Sequence, residues 1–317
     1  MPDVATRSSS GTTDSALRVR FWGVRGSVAV PGSATARYGG NTACVEVRCQ
    51  RHLVILDAGT GIRELGKRLS PPNSASTDRI WLLITHTHWD HIQGFPFFAP
   101  VYEARRRIGI LSRRASRSGL RRTLAAAVES PFFPVPLREM PGSISFRELR
   151  SEKFRLGPFR GQTAPLNHPG GGVAFRLNTK SGSVAYIPDH EIPAPSHPGS
   201  GRHTAAAHRR QARMLTLARG VDLLIHDAQY TPAEYAQREG WGHSAVDRVV
   251  RFAAEAGAKT LFLFHHDPDR SDAQMDQFLT EARTLARTLS PNLRVEAAQE
   301  GMEVTAAHGS LHVRSHS

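Results

Sequence analysis

The sequence is poor in cysteine: its 317 residues include only Cys44 and Cys49, which excludes a fold held by a disulfide framework. Both could lie on one strand, where residues five apart point to opposite faces, and a reducing cytoplasm is the natural setting. Long apolar runs are also missing. No stretch approaches the ~20 residues of a membrane-spanning helix, and the longest, such as residues 261–264, suits a buried strand. Residues 1–16 are rich in Ser, Thr and Gly, lack the apolar core of a secretory signal, and read as a disordered leader. No repeat recurs at a solenoid period, and no linker divides the chain. One domain is therefore expected over residues 17–308, with a basic and Pro-rich insertion at 104–160 and a tail at 309–317.

The composition present is that of a globular protein, 39% hydrophobic and 22% charged. Its net charge of +13 is unevenly placed. Arginines stand at 105, 106, 107, 113, 114, 117, 121 and 122, and a second basic patch joins Arg202, His203, His208, Arg209, Arg210 and Arg213. Such clusters favour polyanionic partners through counterion release. They are equally compatible with a solvated surface.

Periodicity predicts strands at 17–22, 43–48, 53–56 and 80–85, with the third running into the turn Asp57-Ala58-Gly59-Thr60-Gly61. A short helix follows that turn, carrying Ile62, Leu65 and Leu69 on one face. The middle of the chain is less regular, with a helix around 120–128 and strands near 154, at 173–177 and at 183–187; residues 193–201 read as a loop. The final third alternates clearly. A strand at 221–225 precedes a helix opened by Ser244, with Asp247 completing a capping box, and ended by Gly257. A strand at 260–264 then leads to a helix capped by Ser271 and Gln274 and stopped by Pro291.

The densest chemistry is Thr85-His86-Thr87-His88-Trp89-Asp90-His91, three imidazoles and one carboxylate at the end of an apolar strand. Neutral imidazole and carboxylate are natural ligands for zinc and similar ions. An α/β architecture places its site at such strand ends.

This cluster resembles the His-x-His-x-Asp-His signature of the metallo-β-lactamase fold superfamily. The resemblance implies an α/β fold, a four-layer αβ/βα sandwich, and predicts further ligands in order: His168, Asp189 and His265. Taken alone, His168 reads as an ordinary loop histidine. Asp189 competes with His190 and Glu191, and His265 with His266. The implied assignment is His86, His88 and His168 on one metal, and Asp90, His91 and His265 on the other, with Asp189 bridging. Two divalent ions are implied, zinc by default, with manganese or iron compatible. Asp57 resembles the family's outer carboxylate that holds an imidazole N–H; it reads nearly as well as a turn-capping aspartate.

Asp189 at the bridging position departs from the thiol-containing site of many true β-lactamases, and His88 stands where flavodiiron members carry glutamate. His226-Asp227-Ala228-Gln229-Tyr230 and Gly242-His243-Ser244 look like the His-Glu-Ala-Thr and Gly-His-Ser elements of the tRNA-processing ribonuclease Z group and related phosphodiesterases. The chain departs from that pattern in having Asp227 where the group has glutamate. The stretches Phe21-Trp22-Gly23-Val24-Arg25-Gly26-Ser27, Tyr38-Gly39-Gly40-Asn41-Thr42, Phe132-Phe133-Pro134-Val135 and Leu263-Phe264-His265-His266-Asp267-Pro268 resemble a less characterised bacterial branch of that group. The long arm with which ribonuclease Z grips tRNA is not obvious here.

The resemblance implies a metal-dependent phosphodiesterase acting on RNA, a cyclic nucleotide or a related phosphate ester by attack of a metal-bridging hydroxide. Asp90, Asp227 and His243 are the catalytic candidates, Asp227 orienting His243 and His243 protonating the leaving oxygen. A competing reading leaves His243 near a helix start and Asp227 as a strand-end polar residue. The alternative activity is hydrolysis of a thioester, lactone or carboxylic ester on the same metals; a remoter one is a nucleic-acid-binding protein with a vestigial site. The expected partner is a phosphate-ester or nucleic-acid substrate, with no membrane and with a homodimer left open.

Overall fold

The computed structural model describes residues 15–70, 79–113, 119–193, 205–307 and 309–315. The leader through residue 14, Arg114 and Arg117, most of the loop expected at 193–201, and Arg202 with His203 lie outside the described residues.

In chain order the strands are β1 (Leu17–Gly23), β2 (Cys44–Cys49), β3 (His52–Leu56), β4 (Ile80–Leu83), β5 (Arg107–Arg113), β6 (Ser143–Leu149) and β7 (Lys153–Leu156). They continue as β8 (Phe159–Pro165), β9 (Val173–Asn178), β10 (Ser183–Ile187), β11 (Leu223–Asp227), β12 (Thr260–Phe264), β13 (Arg294–Ala297), β14 (Glu303–Ala307) and β15 (Ser310–Arg314). The helices are α1 (Ile62–Leu69), α2 (Trp89–Ile92), α3 (Leu120–Ala127), α4 (Ala205–Ala218), α5 (Pro232–Gln237), α6 (Val246–Ala256) and α7 (Asp272–Leu289).

Two mixed sheets result. One is ordered β15-β14-β1-β2-β3-β4-β5-β6, the other β13-β12-β11-β10-β9-β8-β7. Leu17, Val19, Phe21, Val45 and Val47 of the first sheet meet Phe175, Tyr186, Ile225, Phe262 and Phe264 of the second in an interior layer. The outer face of the first sheet is covered by Ile62 and Leu65 of α1 and Leu120 and Leu124 of α3. The outer face of the second is covered by Met214, Val249, Val250, Phe278 and Ala282 from α4, α6 and α7. The architecture is the expected αβ/βα sandwich, in which each sheet buries both faces. Burial on both faces explains why β12 is continuously apolar from Leu261 to Phe264 rather than alternating.

Several local expectations need correction. Residues 104–160 are not a separable insertion, since β5 and β6 extend the first sheet and β7 starts the second. The arginines concealed β5: its ends are the exposed Arg107 and the half-buried Arg113, while Ile108, Ile110 and Leu111 between them are buried. Residues 310–314 of the presumed tail pair antiparallel with β14. Ser244 does not cap α6; Ala245 holds that position, and the Ser244 hydroxyl instead donates to the His190 carbonyl and accepts from the Ile192 N–H at 3.0 Å. Tertiary partners outbid the local capping box. The box of Ser271 and Gln274 does form, and Gly257 closes α6 in the left-handed region. Cys44 and Cys49 share β2 and enter cores on opposite faces of the sheet. Among the described residues no helix is long and apolar enough to cross a membrane.

The strand directions position the site. β3, β4 and β5 run parallel in one sheet, as do β10, β11 and β12 in the other. The carboxyl ends of β3, β4, β10, β11 and β12 deliver Asp57, His86, Asp189, Asp227 and His265 respectively. The ring centroid of Phe262 lies 5.4 Å from that of Phe21, locking the sheets behind this rim. Phe262→Ala is expected to cost about 3–5 kcal/mol, read as a lowered urea midpoint at unchanged slope.

Candidate metal centre

The carboxyl ends of the parallel strands meet in two donor sets. His86, His88, His168 and Asp189 form one, and Asp90, His91, Asp189 and His265 the other; within each, the donor atoms all lie within 4.8 Å of one another. Asp189 belongs to both: Oδ2 is 3.6 Å from the Nε2 atoms of His86 and His168, and Oδ1 is 3.0 Å from His91 Nε2 and 3.4 Å from His265 Nε2. Asp90 Oδ2 lies 3.3 Å from His91 Nε2 and 3.1 Å from His265 Nε2. The structure thus gathers all seven residues expected from the sequence.

It also separates them from their neighbours. His190 accepts from the Asn167 N–H at 2.9 Å and faces Gln211 Oε1 at 2.8 Å. Glu191 accepts from the Tyr235 hydroxyl and from the N–H groups of Gly240 and Gly242. His266 donates to the Ala298 carbonyl at 2.8 Å. None of the three turns into the cluster.

Outer hydrogen bonds fix the tautomer of four of the five imidazoles. His91 Nδ1 donates to Asp57 Oδ2 at 2.8 Å, His168 Nδ1 to the Gly242 carbonyl at 3.0 Å, and His265 Nδ1 to Gln229 Oε1 at 3.1 Å. The Thr85 hydroxyl gives its proton to Asp57 Oδ2, so its lone pair faces His86 Nδ1 at 3.1 Å. With a proton on each Nδ1, each of these four rings presents an Nε2 lone pair to the cluster, as a metal ligand must. His88 is the exception, presenting Nδ1, 2.9 Å from His168 Nε2. Two ring nitrogens this close suit a shared cation.

Among the described residues, three buried atoms aimed into the cluster, His86 Nε2, His91 Nε2 and Asp189 Oδ1, are left without a well-formed hydrogen bond, the last two lying 3.0 Å apart. Unsatisfied groups of this kind cost about 1–3 kcal/mol each. Electrostatics gives the same sign. Burial opposes charge on His91, yet Asp189, Asp90 and Asp57 outweigh it and raise its pKa well above the ordinary value. Burial pushes His168 down to about 4 and His86 well below its ordinary value. The field therefore calls for positive charge beside neutral imidazoles, and the donor sets N₃O and N₂O₂ fit divalent cations.

Beside the second set, His243 Nδ1 lies 3.2 Å from Asp227 Oδ2, both residues buried. Burial works against charge on His243, and Asp227, Asp189 and Asp90 overcome it, raising the imidazole to about 9. Asp227, His243 and His265 could themselves be taken for a metal-holding group. However, the His243 ring stacks on that of His265 (4.9 Å, 16°), and its Nδ1 is already committed to Asp227. Because that nitrogen already serves the carboxylate, we treat Asp227 and His243 as a carboxylate–imidazole dyad.

Backbone geometry supports these placements. Asp57 and His265 adopt left-handed φ of 60° and 57°, uncommon outside glycine. Gly242 has φ 92°, and a Cβ there would fall 2.2 Å from His168 Nδ1; one on Gly26 would fall 2.4 Å from the His265 ring. Arg25, fully buried, donates to the carbonyls of Gly39, Asp267 and Arg270 at 2.7–3.0 Å and pins the loop that follows His265. Sequence reasoning assigned no role to Thr85, Tyr186, Gln229 or Arg25. Thr85, Gln229 and Arg25 lie within the histidine cluster and the motifs resembling the family, whereas Tyr186, whose hydroxyl donates to Asp57 Oδ2 at 3.0 Å, carries no signal in the sequence.

Comparison with known proteins agrees with this fold. Residues 52–266 match the model of the beta-lactamase superfamily domain. Ribonuclease Z of Haloarcula marismortui is 24% identical, covering 90% of this chain and 96% of its own. The metallo-beta-lactamase fold protein YhfI of Bacillus subtilis superposes with a TM-score of 0.63 at 18% identity, covering 92% of this chain and 100% of its own. The short form of human tRNase Z superposes with a TM-score of 0.55 at 20% identity, covering 90% and 98%.

Asp57→Asn leaves one oxygen to serve both the Thr85 N–H and His91 Nδ1, and so loosens the hold on the His91 tautomer. It is expected to weaken divalent-cation affinity about 10–100-fold, read by metal titration with elemental analysis. Unchanged affinity would show that the Asp57–His91 contact does not serve the metal centre.

Proposed function

The chain belongs to the beta-lactamase superfamily domain family, and from that premise we propose that it is a dinuclear metal-dependent phosphodiesterase, acting on RNA, a cyclic nucleotide or a related phosphate ester. The observation that carries this reading is the Asp227–His243 dyad, set against His265 beside two cation-holding sets. The relatives named Ribonuclease Z support it. We assign His86, His88 and His168 to one ion, Asp90, His91 and His265 to the other, and Asp189 to both. Zinc suits four-donor sets of imidazole and carboxylate, and manganese or iron is compatible with the same donors.

When bound, divalent ions there supply Lewis acidity toward the phosphoryl oxygens and lower the pKa of a coordinated water. The chain's own groups do the rest. Asp90 and Asp189 contribute carboxylate oxygens to the centre, and the Ser27 N–H holds Asp90 Oδ2 at 2.8 Å. Asp227 is fixed by the N–H groups of Gln229 and Ser244 at 3.0 and 3.2 Å, and so holds His243 with its Nε2 away from the carboxylate. From Nε2, His243 donates a proton to the departing ribose oxygen, a poor leaving group that needs one. Thioester cleavage has no such need, because a thiolate departs unprotonated.

Asp227, the last residue of β11, meets the imidazole at 3.2 Å although its side chain is shorter than glutamate's.

His243→Ala is therefore expected to lower turnover of a dinucleotide by about 10²–10⁴-fold with metal content unchanged. Turnover of bis(p-nitrophenyl) phosphate, whose leaving group departs readily, should fall far less. Equal losses on both substrates, or loss of metal, would remove the general-acid role. Hydrolysis of a thioester or lactone by the wild type without any phosphodiester cleavage would overturn the reading as a whole.

A further inference from the structure

One edge of the sandwich carries cations that the metal centre does not use. β6 and β7 are the last strands of their sheets and are consecutive in the chain, so the two sheet edges meet at residues 150–152. On the last three strands of the second sheet, cross-strand partners form two polar rows, Lys153–Gln162–Arg176 and Arg155–Arg160–Asn178. Arg155 and Arg160 stand directly opposite each other. Like charges so placed are destabilising, and folding alone does not favour them. Arg176 is held by the carbonyls of Leu217 and Arg219, at 2.8 and 2.7 Å, and by Asn178 Oδ1 at 2.8 Å.

These rows line a cleft of about 1150 Å³ that also takes in Lys180 and Lys259. Its carboxylate, Asp222, is engaged by Lys259 at 2.7 Å and by Ser183. Lys153, Arg155, Arg160 and Lys180 have no carboxylate partner among the described residues.

The cleft is not isolated. A second one, of about 830 Å³, shares Lys153 with it and adds Arg150, Arg147 and Arg113. A third, of about 110 Å³, shares Arg113 and reaches His86 and His88. Glu148 lines the latter two, and Glu152 is neutralised by Arg113 and Arg213. Cations are thus spaced along a continuous path from the outer groove to the histidines. A single phosphate would need only one of these positions. A chain bearing phosphate at regular intervals would use them all, and the space of about 110 Å³ at His86 and His88 is far too small to take a duplex.

Resting on the phosphodiesterase reading, we propose that this edge, from Arg113 to Lys180, binds the backbone of a single-stranded polynucleotide whose scissile linkage lies at the histidine end. The track is tested by fluorescence anisotropy with a fluorescein-labelled 2′-O-methyl oligouridylate of ~20 nucleotides, long enough to span the site sizes common for single strands. Binding is measured across a salt series for the wild type, Arg155→Ala/Arg160→Ala and Arg287→Ala/Arg294→Ala. The last pair removes equal charge at the opposite edge of the same sheet, on α7 and β13. Hydrolysis of bis(p-nitrophenyl) phosphate is followed in parallel.

The Arg155/Arg160 variant is expected to bind at least ~10-fold more weakly, with a log–log salt slope shallower by about 1.4. The control variant should stay within about twofold, and diester hydrolysis should be unchanged in both. Equal weakening in the two double variants, or none in either, overturns the track, while diester cleavage by the wild type keeps the phosphodiesterase reading. Selective weakening with no diester cleavage by the metal-loaded wild type upholds the track as a binding site and ends that reading.

Discussion

Asp57 is a fully buried carboxylate on which the centre rests. It follows β3 and accepts from the backbone N–H and the hydroxyl of Thr85, which follows β4, each at 2.8 Å. From the opposite sheet it accepts the hydroxyl of Tyr186 at 3.0 Å, and from α2 the Nδ1–H of His91 at 2.8 Å. One side chain therefore joins both sheets directly beneath the cluster and sets an imidazole tautomer. Isolated in such an interior a carboxylate would be costly to bury; here every donor is built into an element that the sandwich already holds rigid.

The same economy of positioning extends outward. Carboxylates and imidazoles are packed at separations where burial alone would neutralise them, and the Nδ1 atoms of four rings are committed to acceptors behind the cluster. Those outward contacts leave the Nε2 lone pairs facing one another, an arrangement that is repulsive until a cation lies between them. The left-handed backbone at Asp57 and His265 is the conformational counterpart of that demand. Arg25 and its carbonyl partners hold the second of these in place from the N-terminal side of the chain.

Function follows from what stands beside the cluster rather than from the cluster alone. Seven side chains converge in two groups that could each hold a cation, a cradle that many hydrolytic reactions could use. Asp227 and His243 narrow the choice, because a buried imidazole held by a carboxylate can serve a leaving group that needs a proton. The basic edge narrows it again, toward substrates that extend beyond a single phosphate.

Much of this was legible in the sequence. Metal ligands clustered within six residues announce themselves, and apolar runs ending on a histidine or aspartate mark strands whose carboxyl ends carry chemistry. Expectation and structure agree on the layers of the sandwich because burial on both faces writes continuous apolar strands such as β12. Local pattern left Asp189 beside His190 and Glu191, and His265 beside His266; the family resemblance named the first of each, and the tertiary structure turns those two, and not their neighbours, toward the cluster. Adjacent residues on a chain point to different neighbours, and which neighbour is the cluster depends on elements far away. The same reason hid Tyr186, whose role exists only where two sheets meet, and misread Ser244, whose hydroxyl serves a distant loop instead of its own helix. It also hid the edge track: Arg155 and Arg160 are unremarkable in the chain, and become a row only when β7 and β8 pair. Local pattern determined the kinds of groups present; long-range pairing decided which of them face each other.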